Sequence, residues 1–152
     1  MIKDIFNKEI SEEVIERIEL LTSETQPAWG KMNVSQMLAH LSVMYEMVYT
    51  PEKFPKPNFL VKFILKLLAK NQVVGPEPYP KNGKTAPAFI ISDNRDFETE
   101  RTKLINFIRK TQELGTNEFN GKESLSFGPL TDKEWNTLFY KHIDHHLTQF
   151  GV

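Results

Sequence analysis

Four stretches of this 152-residue chain repeat apolar residues every three to four positions, and the links between them differ greatly in length. That periodicity matches an α-helix and not a strand, so it restricts the chain to helices that bury one stripe each. "SEEVIERIELL" places Val14, Ile15, Ile18 and Leu21 on one stripe, with Ser11 expected as its N-cap. "NVSQMLAHLSVMYEMVY" opens on Asn33 with Gln36 three residues on, the reciprocal arrangement that satisfies free backbone N–H groups at a helix start. Its stripe runs through Met37, Leu41, Met44 and Val48, and Thr50-Pro51 stops it. "SDNRDFETERTKLINFIRKTQELG" carries Phe97, Leu104, Ile105 and Ile108 and is expected to end at Gly115. "NGKESLSFGPL" reads as a loop. "TDKEWNTLFYKHIDHHLTQFG" begins with a second such box, Thr131 and Glu134, and closes on Gly151.

These four runs predict an all-α four-helix bundle. The first and last links are short enough to make antiparallel neighbours. The roughly 40-residue link between the second and third helices can carry the chain along the bundle's whole length, making those two parallel. Seven of the nine prolines fall in this crossover, between Pro51 and Ser92. It carries a short helix of its own in "NFLVKFILKLLAK", over 58–70. No repeat, low-complexity tract or linker divides the chain, so residues 1–152 are read as a single domain.

Composition removes several function classes. There is no cysteine, which excludes disulfides, thiolate catalysis and cysteine metal sites. A formal net charge of −1 gives no electrostatic footprint for nucleic acid. No glycine loop suited to phosphate is present, so nucleotide use is not expected. The charged start "MIKDIFNKEI" lacks a signal peptide's apolar centre, and no apolar run reaches the length of a bilayer span. An intracellular, cytoplasmic protein without stable membrane insertion is the expectation. In the 58–70 helix, Lys62, Lys66 and Lys70 lie in a line opposite Phe59, Phe63, Ile64 and Leu67. This pattern suits a helix covering one end of the bundle or a dimer partner better than one lying on an anionic membrane.

The chemistry concentrates in "LFYKHIDHHLTQFGV", where three of the four histidines fall within five residues. At about 100° per residue, Trp135, Leu138, Phe139, His142, His146 and Phe150 share a stripe. His145 lies toward its edge, and Asp144 points away. Two inward imidazoles one turn apart have nitrogens to satisfy and repel one another if protonated; a divalent cation resolves both problems. The fourth histidine, His40 in "QMLAHL", sits within or beside the apolar stripe of the second helix. If that helix packs on the last one, three imidazoles meet and leave coordination positions for water or substrate, as in catalytic zinc sites. Zinc is the first expectation for an all-imidazole shell, and nickel or iron also fit three nitrogens. Ile143 follows His142 where a metalloprotease helix has glutamate, so the HExxH base is absent. Gln149 is a candidate contact to a ligand or substrate, and His145 a candidate neighbour of the site. Glu46 is considered as a base or second neighbour, with solvated surface its plainer reading. Trp29, in "QPAWGKM", is read as a core anchor or a wall of the pocket.

"NVSQMLAHL" followed about a hundred residues later by "HIDHHLTQ" resembles the DinB/YfiT-like superfamily of metal-binding four-helix bundles. The ending "EWNTLFYKHIDHHLTQFG" resembles a narrower, largely uncharacterised bacterial branch. The resemblance covers the helical frame of the whole chain, with specific residues matching on the second and fourth helices. It implies an up-down-down-up bundle, frequent homodimers and a divalent metal, zinc or nickel, on His40, His142 and His146. It also implies a small-molecule substrate, handled by thiol transfer with a low-molecular-weight thiol or by hydrolase- or isomerase-like chemistry. Because the chain has no cysteine, any such thiol must arrive as a cosubstrate. The opposing reading is a non-catalytic metal- or ligand-binding helical protein.

Overall fold

The computed structural model describes residues Met1–Val152 and is mostly helical. Its long helices are α1 (Lys8–Glu19), α2 (Val34–Tyr49), α5 (Phe97–Phe119) and α6 (Asp132–Gln149); the crossover carries α3 (Phe59–Leu68) and α4 (Lys70–Val74). Two-residue strands β1 (Glu123–Ser124) and β2 (Gly128–Pro129) pair antiparallel between α5 and α6. The four long helices supply most of a single cluster of 26 buried apolar residues. Within it α2 packs chiefly on α5, and α6 touches α1, α2, α4 and α5. No helix is long and apolar enough to cross a membrane.

Both expected capping boxes are present, at Asn33/Gln36 and Thr131/Glu134. The start of α1 differs from expectation. Asn7, not Ser11, is its cap, accepting from the Glu9 amide at 2.8 Å, because a turn closed by Asp4 presents Asn7 one helical turn earlier. Ser11 lies buried inside the helix and donates to the Lys8 carbonyl instead. Gly115 does end the regular part of α5, at φ 72°, but one further helical turn continues to Phe119. The stretch expected as a plain loop holds the β1–β2 hairpin, where the Ser124 hydroxyl accepts from the Phe127 amide at 3.2 Å.

Of the two expected placements of the crossover helix, covering one end of the bundle or meeting a dimer partner, the first is not found. Lys62 pairs with Glu123 on the hairpin and Lys70 with Glu134 on α6, so this side of α3–α4 meets the body of the protein. Phe59, Leu60, Phe63, Ile64 and Leu67 are exposed, whereas Leu65, Ala69, Val73 and Val74 pack against the core. The apolar face of α3 therefore does not cover the end of the helical body. Its orientation comes from these four packed residues with two ion pairs beside them, and the apolar pattern alone does not choose between the expected placements.

Two buried polar atoms lack a hydrogen bond, Glu100 Oε2 and the Tyr45 hydroxyl. The ring of Tyr45 stacks between Phe139, at 4.9 Å, and Phe107, at 5.5 Å, and its hydroxyl is fully buried with no hydrogen bond. An unsatisfied buried hydroxyl costs on the order of 1–3 kcal/mol, whereas its deletion leaves the stacking intact. Tyr45→Phe is expected to stabilise the chain by about 1 kcal/mol, read as a higher urea midpoint at unchanged slope. A lower midpoint would mean that the hydroxyl has a partner.

Candidate metal centre

The helix starts set the positions of the histidines. The Asn33 box fixes the first turn of α2 and places His40 two turns along it, buried. The Thr131 box does the same for α6, whose buried stripe includes Trp135, Leu138, Phe139 and His146. His142 lies one turn before His146 on that side and is half-buried. The ring centroids of His40, His142 and His146 are 4.6 to 5.0 Å apart, and one ligand nitrogen from each lies within 4.8 Å of the others. These three residues, distant along the chain, are close together and could hold a metal ion.

The hydrogen bonds around them decide which nitrogen each ring presents. His40 Nδ1–H donates to the Phe89 carbonyl at 2.8 Å, which leaves Nε2 with its lone pair. His146 Nδ1–H donates to Gln149 Oε1 at 2.7 Å, with the same result. The Nε2 atoms of His40 and His142 are 2.9 Å apart. Either a proton carried by His142 or a cation between the rings relieves the contact of their lone pairs. Gln149 is fixed in turn, because its Nε2 donates to the Trp29 carbonyl at 2.6 Å. Gly30 is required for that approach: its φ is 88°, and an added Cβ would lie 2.5 Å from Gln149 Nε2.

Electrostatics keep the rings neutral. Burial lowers the pKa of His40, against the Phe89 hydrogen bond that raises it. Burial lowers His146 to about 3, with the His40 ring adding to the effect. His142 is pushed well below the ordinary histidine value, first by burial and then by His40 and His146; neighbouring atoms enclose the ring although part of the residue reaches the surface. Neutral imidazoles are the form that binds metal.

The crossover roofs this group. Its last turn, Pro87–Phe89, brings the Phe89 ring within 5.8 Å of His142, and Tyr79 stands edge-on to His142 at 6.1 Å and to His145 at 5.6 Å. Lys141 holds the roof in place. Its buried ammonium donates to the carbonyls of Gln72, Gly75 and Glu77 at 2.6 to 3.1 Å and lies 4.5 Å from the centre of the Tyr79 ring. Burial lowers the pKa of Lys141.

Of the other residues singled out in the sequence, Gln149 contacts His146 directly. His145 lies beside the three without joining their ligand group, against Trp29 at 6.0 Å and His146 at 5.0 Å. Trp29 takes part through its carbonyl and as a wall beside His145. Glu46 is not brought to the site, because its carboxylate pairs with Lys103 on α5. Asp144 points away, as expected, and binds Arg17 on α1 at 2.8 Å. Sequence reasoning missed Tyr79, Phe89 and Lys141. Phe89 acts through its backbone, which leaves no mark in residue type, whereas a lysine beside a histidine on a buried helix face was a signal open to reading.

A family model described as "Protein of unknown function (DUF1569)" matches residues 6–151. No curated protein and no solved structure matches the chain.

Proposed function

This chain belongs to the DUF1569 family, and we propose that it is a divalent-metal-dependent enzyme acting on a small molecule, by thiol transfer or metal-assisted hydrolysis. One observation carries the reading: three neutral imidazoles converge within 4.8 Å, two with their outer nitrogens already committed to Phe89 and Gln149. In this reading His40, His142 and His146 are the ligands, and Gln149 orients His146 and strengthens it as a donor. Zinc suits the all-imidazole set first, with nickel or iron as alternatives. A bound divalent ion would lower the pKa of a coordinated water or thiol toward neutrality. The group has three protein ligands and no carboxylate, which favours an open coordination position over a structural clip closed by four. Tyr79, Phe89 and Trp29 would border the substrate and limit water.

The same proposal takes the four long helices as one DinB/YfiT-like domain over 1–152 with up-down-down-up order. Its support is the joint core and the long crossover that separates α2 from α5.

The experiment is turnover of a small electrophile by metal-loaded protein, with and without an added low-molecular-weight thiol. Thiol transfer is expected to give a rate only when thiol is present. Equal rates without it would assign the site to hydrolysis. No turnover of any ester, amide or electrophile by fully loaded protein would leave a binding protein.

A further inference from the structure

We propose that the exposed face of α3 docks on an anionic lipid surface, lying in the membrane interface and not spanning it. This inference is independent of the metal site. It rests on two observations, one of apolarity and one of charge.

Seven large apolar side chains of one ten-residue helix face solvent: Phe59, Leu60, Val61, Phe63, Ile64, Leu67 and Leu68, with Phe59 86% and Leu68 79% exposed. Contiguous apolar patches beyond a few hundred Å² are rare on monomers and mark sites of interaction. Leu65, Ala69, Val73 and Val74 pack on the core beneath it, with the Lys62–Glu123 and Lys70–Glu134 pairs alongside, so the remaining apolar side is turned outward.

Charge identifies the occupant. Between Pro51 and Ile90 seven lysines stand against two glutamates, Glu52 and Glu77, a formal +5. The rest of the chain, with 12 basic and 18 acidic residues, carries −6. The near-neutral total conceals this segregation. Lys53 and Lys56, just before α3, and Lys66 within it are exposed and form no ion pair with either glutamate or with any other carboxylate. A helix with phenylalanine and leucine exposed, and with exposed, unpaired lysines within it and in the segment just before it, fits the boundary between acyl chains and anionic headgroups. A second copy seated on the same face fits less well, because it would offer Lys53, Lys56 and Lys66 a segment of the same net positive charge and not an anionic one.

The test is co-sedimentation of the full chain with vesicles of phosphatidylcholine alone, or with about 30% phosphatidylglycerol, at low and at moderate salt. The bound fraction is expected to be at least about tenfold higher on the anionic vesicles and to fall as salt rises. The double variant Phe59→Ser, Leu68→Ser and the triple variant Lys53→Gln, Lys56→Gln, Lys66→Gln should each lose most of it. All five positions are exposed, and unchanged circular dichroism would show that the fold persists. Absence of vesicle binding, or equal binding to neutral and anionic vesicles, overturns the proposal. So does a dimer in light scattering that the Phe59→Ser, Leu68→Ser variant converts to monomer without vesicle binding, which would give the face to a second copy.

Discussion

Protein purified without a histidine tag is expected to carry about one divalent ion per chain, and the His142→Ala, His146→Ala double variant to carry none. A single remaining imidazole, His40, cannot hold an ion against buffer, because the affinity of a three-nitrogen site comes from its ligands acting together. His145→Ala is expected to keep its metal, since that ring stands beside the ligand group and not within it. Gln149→Leu should weaken binding by about ten- to a hundredfold, as loss of an orienting partner does. It removes both the acceptor for His146 Nδ1 and the tie to Trp29. Elemental analysis gives the stoichiometry, and competition with a chromophoric chelator gives the affinity. Metal lost from His145→Ala, or kept by the double variant, would show that the three rings are not the ligands.

The second large effect is acid sensitivity of the metal-free chain. His40, His142 and His146 all have pKa values held below the ordinary 6.5, chiefly by burial, His146 at about 3. The unfolded chain therefore binds protons near pH 6.5 that the folded chain refuses. A depressed folded pKa leaves the stability fully present above about pH 6.5 and removes it as pH falls from there toward the folded values. Each ring so held contributes about 1.4 kcal/mol per pH unit in that window. His146, buried and held at about 3, by itself gives a loss of about 1.4 kcal/mol per unit, a sizeable share of the roughly 5–15 kcal/mol typical of a domain, and His40 and His142 act in the same direction. Guanidinium midpoints are expected to be level from pH 8 to 7 and to fall steeply from about pH 6 to 5. The double variant should show a shallower fall. Midpoints unchanged down to pH 5 would place the rings in open water.

Much of this was legible before any coordinates. Periodicity and the boxes at Asn33 and Thr131 located α2 and α6, and helical geometry then picked His142 and His146 over His145 from three residues within five positions. These features are local, so the sequence states them directly. What escaped reading is long-range. The orientation of α3 depends on packing against the core, with pairs to Glu123 and Glu134, which lie some sixty residues further on. Its hydrophobic pattern, taken alone, fits the end of the bundle and a dimer partner equally well. Glu46 sits on the histidine-bearing helix but is drawn off by Lys103, a partner that spacing on α2 cannot reveal. The cap of α1 fell on Asn7 because a turn upstream competes with Ser11, and two good capping residues four apart are not ranked by composition.

The acceptor for His40 is a main-chain oxygen in the crossover, delivered by the short turn at Pro87–Phe89. Many side chains at position 89 would leave that oxygen where it is. Adding or deleting one residue between the Lys141 anchorage at Gly75 and Phe89 would shift the oxygen and free the ring to rotate. Among homologues, this part of the connection should therefore hold its length constant, with composition varying most at positions other than Tyr79 and Phe89.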